Sequence, residues 1–169
     1  ATGPVGREIL SIIAERGLEA AEVHALSSRK LMGSEVSFGD AILKAKDVEE
    51  FDFGRVNLCI MATGDPAARK WGSRIAQEGC IVIDTSRAFR NDPQVPLIVP
   101  EVNADAVEGY SRRNIIACPD GVTAQLVRVL KPLHDAAGVV RAVVATYQSV
   151  SAEGQRAIDE LAVRLQREA

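Results

Sequence analysis

Residues 56–84 read VNLCIMATGDPAARKWGSRIAQEGCIVID, and this stretch decides the architecture. Val56 to Ala62 is a continuous apolar run, as a strand covered on both faces requires. Pro66 then starts a helix whose apolar positions are Ala67, Trp71, Ile75 and Ala76, and Gly79 stops it. Cys80 to Ile83 is a second short buried strand, ending at Asp84. Strand and helix go on alternating to either side of this unit. The expected fold is α/β, a doubly wound, mostly parallel sheet with helices on both faces.

Upstream, Val5, Ile9, Ile12 and Ile13 form a helical stripe that Gly17 ends. Val23 to Leu26 is a short candidate strand, and Val36 to Lys44 is expected to be extended, before an acidic turn at Asp47 to Glu50. The chain opens inside a motif, Ala1-Thr2-Gly3-Pro4-Val5-Gly6-Arg7. A glycine-rich turn that opens a helix normally follows a buried strand, so the first strand of the sheet is expected to be missing. A segment before Ala1 or a partner strand would fill its slot, with the strands at 56–62 and 114–117 both buried in one parallel sheet around it.

Downstream, proline-rich irregular chain runs to Pro100. A short helix at Ala104 to Glu108 precedes a strand at 114–117, and then a helix carries Leu126, Leu130 and Leu133. Past Gly138, the β-branched stretch Val139 to Tyr147 is expected to be a strand. Ser151 is placed to cap a last helix with Ile158, Leu161, Ala162 and Leu165 on one face.

A chain of 169 residues, 47% hydrophobic and 25% charged, suits one well-buried core rather than disorder. Its net charge of −3 gives no footprint for nucleic acid, and Ser111-Arg112-Arg113 is too short a basic cluster to change that. Cys59, Cys80 and Cys118 lack metal-ligand spacing, and the first two lie in apolar runs as reduced core thiols do. No apolar run is long enough to span a membrane, and no signal peptide is visible, so the expected setting is cytoplasmic.

Four segments are candidates for chemistry. Gly3 and Gly6 at a helix start can let backbone approach a pyrophosphate, or can simply pack a turn tightly. Ser27-Ser28-Arg29-Lys30, at a strand end, offers hydroxyls and an arginine where an acidic residue would select NAD. That suits the 2′-phosphate of NADP, or it is a solvated basic loop. Asp84-Thr85-Ser86-Arg87-Ala88-Phe89-Arg90 follows a strand, so its arginine faces the ligand crevice and can bind an anion, or it pairs with Asp92 or Glu101. Cys118-Pro119-Asp120-Gly121-Val122-Thr123 is a strand-to-helix turn with no nucleophile at its tip. Cys118 reads as a packing residue there, and Asp120 would oppose a thiolate. His24 and His134 are spaced with no partner as a dyad and read as structural.

Taken with ATGPVGRE, VPLIVPEVN (95–103), LKPLHDAAG (130–138) and TYQSVS (146–151), these segments resemble the N-terminal, cofactor-binding half of the aspartate-semialdehyde dehydrogenase family. The resemblance implies a Rossmann-like domain over 1–137 and, over 138–169, the strand and helix that begin the family's second domain. Family members reduce aspartyl phosphate with NADPH through a cysteine thioester that accepts hydride. By that resemblance Thr2, Gly3, Val5 and Gly6 would contact the cofactor phosphates, Ser27 and Arg29 the 2′-phosphate, and Thr85 and Ser86 would lie along the cofactor. Arg90 would hold substrate phosphate, and Gln148 would orient the reacting end.

The departures lie at the active segment. The family form N-P-N-C-[ST]-T is here CPDGVT, which puts Cys118 and Asp120 at the asparagines and Gly121 at the nucleophile. The family's VIDNSSAFR is here VIDTSRAFR, with Thr85 and Arg87 at the altered positions. Family chains are about twice this length, and their second half carries the catalytic histidine, the carboxylate-binding arginine and most of the subunit contact. The expectation is a non-catalytic relative that binds a dinucleotide weakly or not at all and works as a homo-oligomer or with a partner chain. The alternatives are a fragment of a working NADP-dependent enzyme and a purely structural subunit.

Overall fold

The computed structural model describes residues 1–168. Its helices are Pro4–Glu15 (α1), Asp65–Gln77 (α2), Pro100–Asn103 (α3), Gly121–Ala137 (α4) and Gln155–Glu168 (α5). Its strands are Leu26–Ser27 (β1), Glu35–Phe38 (β2), Ala41–Lys44 (β3), Lys46–Asp47 (β4), Leu58–Met61 (β5), Ile81–Asp84 (β6) and Ile115–Ala117 (β7). The fold is mixed α/β with mostly parallel pairing.

The strand–helix–strand unit at 56–84 forms as the apolar pattern requires. β5 and β6 pair in parallel from Leu58↔Ile81 to Met61↔Asp84, and β7 joins the other edge of β6 from Val82↔Ile115 to Asp84↔Ala117. Val82 and Ile115 are fully buried, and α2 lays Ala68, Trp71, Ile75 and Ala76 over the same core. Val82, Ile115 and Ile75 each contribute about 1.5–3 kcal/mol by leaving water, the alanines less. Phe53 and Phe89 close this core from the flanking loops.

The structure corrects four expectations. The strands at 56–62 and 114–117 share one parallel sheet as expected, but β6 lies between them as its centre, with β5 and β7 at its sides. β1 and β4 form a separate parallel pair. The run at 36–44 is not one extended segment but the antiparallel hairpin β2–β3. Gly39, at φ 56°, reverses the chain there, a conformation that glycine adopts without cost.

The β-branched stretch 139–147 forms no strand, and Val140, Val143 and Tyr147 lie open to solvent. Strand propensity without a neighbouring ladder does not make a strand. Ser151 does not cap the last helix, because Ser149 caps a 3₁₀ turn over Val150–Glu153 and Gly154, at φ 88°, separates that turn from α5.

A second, smaller core gathers Leu10 of α1, Ala25 and Val36. α4 buries none of its residues, and Val129 and Leu133 are exposed along it. Among the described residues no helix is long and apolar enough to cross a membrane.

Candidate functional site

The start of α1 and the carboxyl ends of β1, β6 and β7 carry all the sequence-derived site candidates but Gln148, and strand ends are where open parallel sheets bind ligands. Gly3 is the N-cap of α1 and supplies no side chain to it; Pro4, at N1, has no amide hydrogen to satisfy. The first-turn amides of Val5 and Gly6 therefore have no capping side chain of their own. Gly6 is buried, and a Cβ there would lie 2.8 Å from the Ala1 carbonyl oxygen, so only glycine lets the turn close this tightly. Around Gly3 the space is open.

The backbone nitrogen of Ala1 donates to the Leu26 carbonyl at 2.8 Å, which sets the Thr2–Gly3 turn beside the end of β1. Ser27 ends β1, and Arg29 begins an exposed 3₁₀ turn over Arg29–Leu31. Two motifs 20 residues and more apart in sequence thus meet at one strand end.

At the end of β6, Asp84 is fully buried and organises the next turn. Its carboxylate accepts from the Ser86 hydroxyl at 2.7 Å and from the Ser86 amide at 3.2 Å, and the Ser86 Oγ accepts from the Ala88 amide at 3.0 Å. Thr85 donates its hydroxyl to the Met61 carbonyl at 3.0 Å, tying β6 to the end of β5. The altered Arg87 has its amide 2.9 Å and its Nε 3.3 Å from the Asp65 carboxylate in the first turn of α2. That carboxyl lies below its usual range, chiefly because of the Arg87 backbone bond.

Arg90 pairs with neither Asp92 nor Glu101: Arg113 takes Asp92 and Arg128 takes Glu101. Its Nε donates to the Cys118 carbonyl at 2.8 Å and its Nη2 to the Thr85 carbonyl at 3.1 Å. This bridges the ends of β6 and β7. Nη1 lies 3.9 Å from Asp120 Oδ2.

The tip of that turn is Gly121, first residue of α4, where a Cβ would meet nothing within 4 Å. Asp120 caps the helix, accepting from the Val122 and Thr123 amides at 3.1 and 3.0 Å and from the Thr123 hydroxyl at 2.7 Å. Those bonds, the Thr123 hydroxyl first, hold its carboxyl below the usual range. Cys118 is half-buried, and burial, with the Asp84 charge second, pushes its thiol up.

Gln148 stands apart in the exposed segment before Ser149, and no hydrogen bond links it to this cluster among the described residues. His24 packs edge-on against Phe51 and lies 3.4 Å from Glu22, while His134 gives its carbonyl to the α4 C-cap. A shallow hollow of about 530 Å³ between α1 and the β2–β3 hairpin, lined by Arg7, Glu15 and Asp40 among others, lies away from the cluster. Sequence reasoning passed over Asp65, whose only signal was its place in the turn after a buried strand. It also passed over the capping role of Asp120, which the spacing Asp120–Thr123 signals.

Open space at Gly3 and an uncapped first turn of α1, with Ser27 and Arg29 in the segment at the end of β1, are groups whose chemistry suits phosphate oxygens.

Residues 1–110 match the profile described as "Semialdehyde dehydrogenase, NAD binding domain", and residues 130–168 the one described as "Semialdehyde dehydrogenase, dimerisation domain". The chain is 42% identical over 162 residues to an aspartate-semialdehyde dehydrogenase of Shewanella sp. (strain DB6705), covering 96% of this chain and 48% of that one. The corresponding figures for the Legionella pneumophila enzyme are 38% over 165 residues, 98% and 48%. The crystal structure of aspartate semialdehyde dehydrogenase II from Vibrio cholerae, complexed with ASA, superposes with a TM-score of 0.91 at 41% identity, over 96% of this chain and 48% of that one. The chain spans about half the length of the curated relatives it matches.

Proposed function

This chain belongs to the semialdehyde dehydrogenase family, and from that premise we propose that it is a dinucleotide-binding domain that does not itself perform the thioester chemistry. The observation that carries the reading is the start of α4, where Gly121 offers only backbone in open space and Asp120 occupies the helix cap. Covalent catalysis at a carbonyl needs a nucleophile at that tip, and none projects from it.

NADP would lie with its pyrophosphate against Thr2, Gly3, Val5 and Gly6 and its 2′-phosphate at Ser27 and Arg29. Thr85 and Ser86 would flank it along the sheet edge, and Arg90 and Gln148 would face the substrate side. Once bound, the nicotinamide supplies hydride chemistry; the residues of this chain bind and orient it. The match of 130–168 to a dimerisation domain, with Val129, Leu133, Leu161 and Leu165 exposed, supports self-association through that region.

A second reading, a fragment of an active NADP-dependent aspartate-semialdehyde dehydrogenase acting on aspartyl phosphate, is favoured by identity spread over 96% of the chain. It would need Cys118 as the thiol, or an altered chemistry. The thiol, raised by burial, weighs against the first of these.

A titration of purified protein with NADPH and NADH, followed by nicotinamide fluorescence, tests the proposal. NADPH should bind tighter, Arg29→Ala should erase the difference, and no oxidation of aspartate semialdehyde should occur. Turnover that Cys118→Ser abolishes would establish the second reading instead.

A further inference from the structure

We propose that Asp120 is a built-in occupant of the anion seat beside Arg90, so that the crevice at the ends of β6 and β7 rejects phosphate and carboxylate groups and admits neutral ones. This rests on reading that crevice as the ligand site. Two carbonyls fix the guanidinium: Cys118 O, 2.8 Å from Nε, and Thr85 O, 3.1 Å from Nη2. The side chain is only 18% exposed, and the edge left over, at Nη1, looks toward the start of α4. An anion reaching this crevice has two sources of donors, that edge and the first amides of the helix.

Asp120 engages both. Its Oδ1 takes the Val122 and Thr123 amides at 3.1 and 3.0 Å, its Oδ2 takes the Thr123 hydroxyl at 2.7 Å, and Oδ2 stands 3.9 Å from Nη1. Three bonds pin the carboxylate, so it does not swing aside for an arriving group as a free surface acid does. The Asp84 carboxylate, buried at the end of β6, adds negative charge on the inner side. A phosphate here meets helix amides already taken and a fixed like charge 3.9 Å from the guanidinium edge it would need. A neutral carbonyl or amide meets no such repulsion.

Asp120→Asn separates charge from capping, because asparagine caps about as well as aspartate. Inorganic phosphate is titrated into the full chain, followed by amide chemical shifts of the first turn of α4. Asp120→Asn should bind phosphate about tenfold or more tighter than the wild type, the effect of removing one like charge at this distance. Adding Arg90→Gln should abolish the gain, and Arg90→Lys should keep part of it. Wild-type protein saturating within about twofold of Asp120→Asn, or a gain that survives Arg90→Gln, would overturn the proposal. NADPH titration of the same samples keeps the tests apart: failure to bind it removes the dinucleotide reading and leaves the phosphate comparison intact.

Discussion

Gly72, in the middle of α2, lies so close to the Phe89 ring that a Cβ built on it would sit 2.7 Å from Cε2 and 2.9 Å from Cζ. That contact seats the loop carrying Thr85, Ser86 and Arg90 against the helix. Alanine at 72 would gain about 1 kcal/mol of helix propensity but force a buried ring to move, at a cost of about 1–3 kcal/mol. Gly72→Ala is therefore expected to lower the thermal midpoint by about 2–4 °C, measured by circular dichroism. An unchanged or higher midpoint would mean that the ring yields freely.

Gly121→Cys should give a thiol that reacts faster than Cys118 toward a disulfide reagent at neutral pH. The site is open and lies at a helix start, which favours thiolate, whereas burial raises the Cys118 thiol; Asp120 opposes the gain without cancelling it. No dehydrogenase turnover should appear. A slower reaction at 121 than at 118 would place the helix start elsewhere.

Asp120→Ala should cost about 1 kcal/mol at neutral pH through loss of the cap. Because the folded carboxyl is held below its ordinary range, its contribution is present above the ordinary carboxylate pKa and lost as pH falls through the lowered value. The gap between wild type and variant in urea denaturation should thus narrow below about pH 4. A gap that is constant down to pH 2 or so would assign the cost to something other than the ionised cap.

Burial pushes the Cys59 thiol up to about 12 and the Cys80 thiol up to about 11. In the unfolded chain these thiols ionise near pH 8.5, so above that the unfolded state releases protons first and stability falls with rising pH. Cys59→Val should flatten that fall by up to about 1.4 kcal/mol per pH unit between pH 9 and 11. Parallel curves for variant and wild type would show that Cys59 is not shielded as its strand position implies.

What could be read from sequence followed burial closely. VNLCIMA and CIVID marked β5 and β6 through their apolar runs, although Leu58 at the start of β5 is exposed, and Gly3 and Gly6 marked the turn because a side chain at 6 has nowhere to go. The stretch 139–147 misled because its residues favour strands while nothing pairs with them. The hairpin at 36–44 hid behind Gly39, whose reversal is invisible to alternation alone. At the site, Arg90 was found but its partners were not, because Cys118 O and Thr85 O are backbone atoms that no side-chain pattern announces.

The division of the apolar interior into one cluster around Phe53, Ile75 and Ile115 and another of Leu10, Ala25 and Val36 has a consequence for how the molecule breathes. A three-residue cluster resists opening far less than a twelve-residue one, so amide hydrogens of α1 and the β2–β3 hairpin should exchange before those of β5, β6 and β7. The glycine turn travels with the looser unit while Thr85 and Arg90 stay with the firmer one. A ligand spanning both would slow exchange in α1 most, acting as the clasp that joins two independently fluctuating halves.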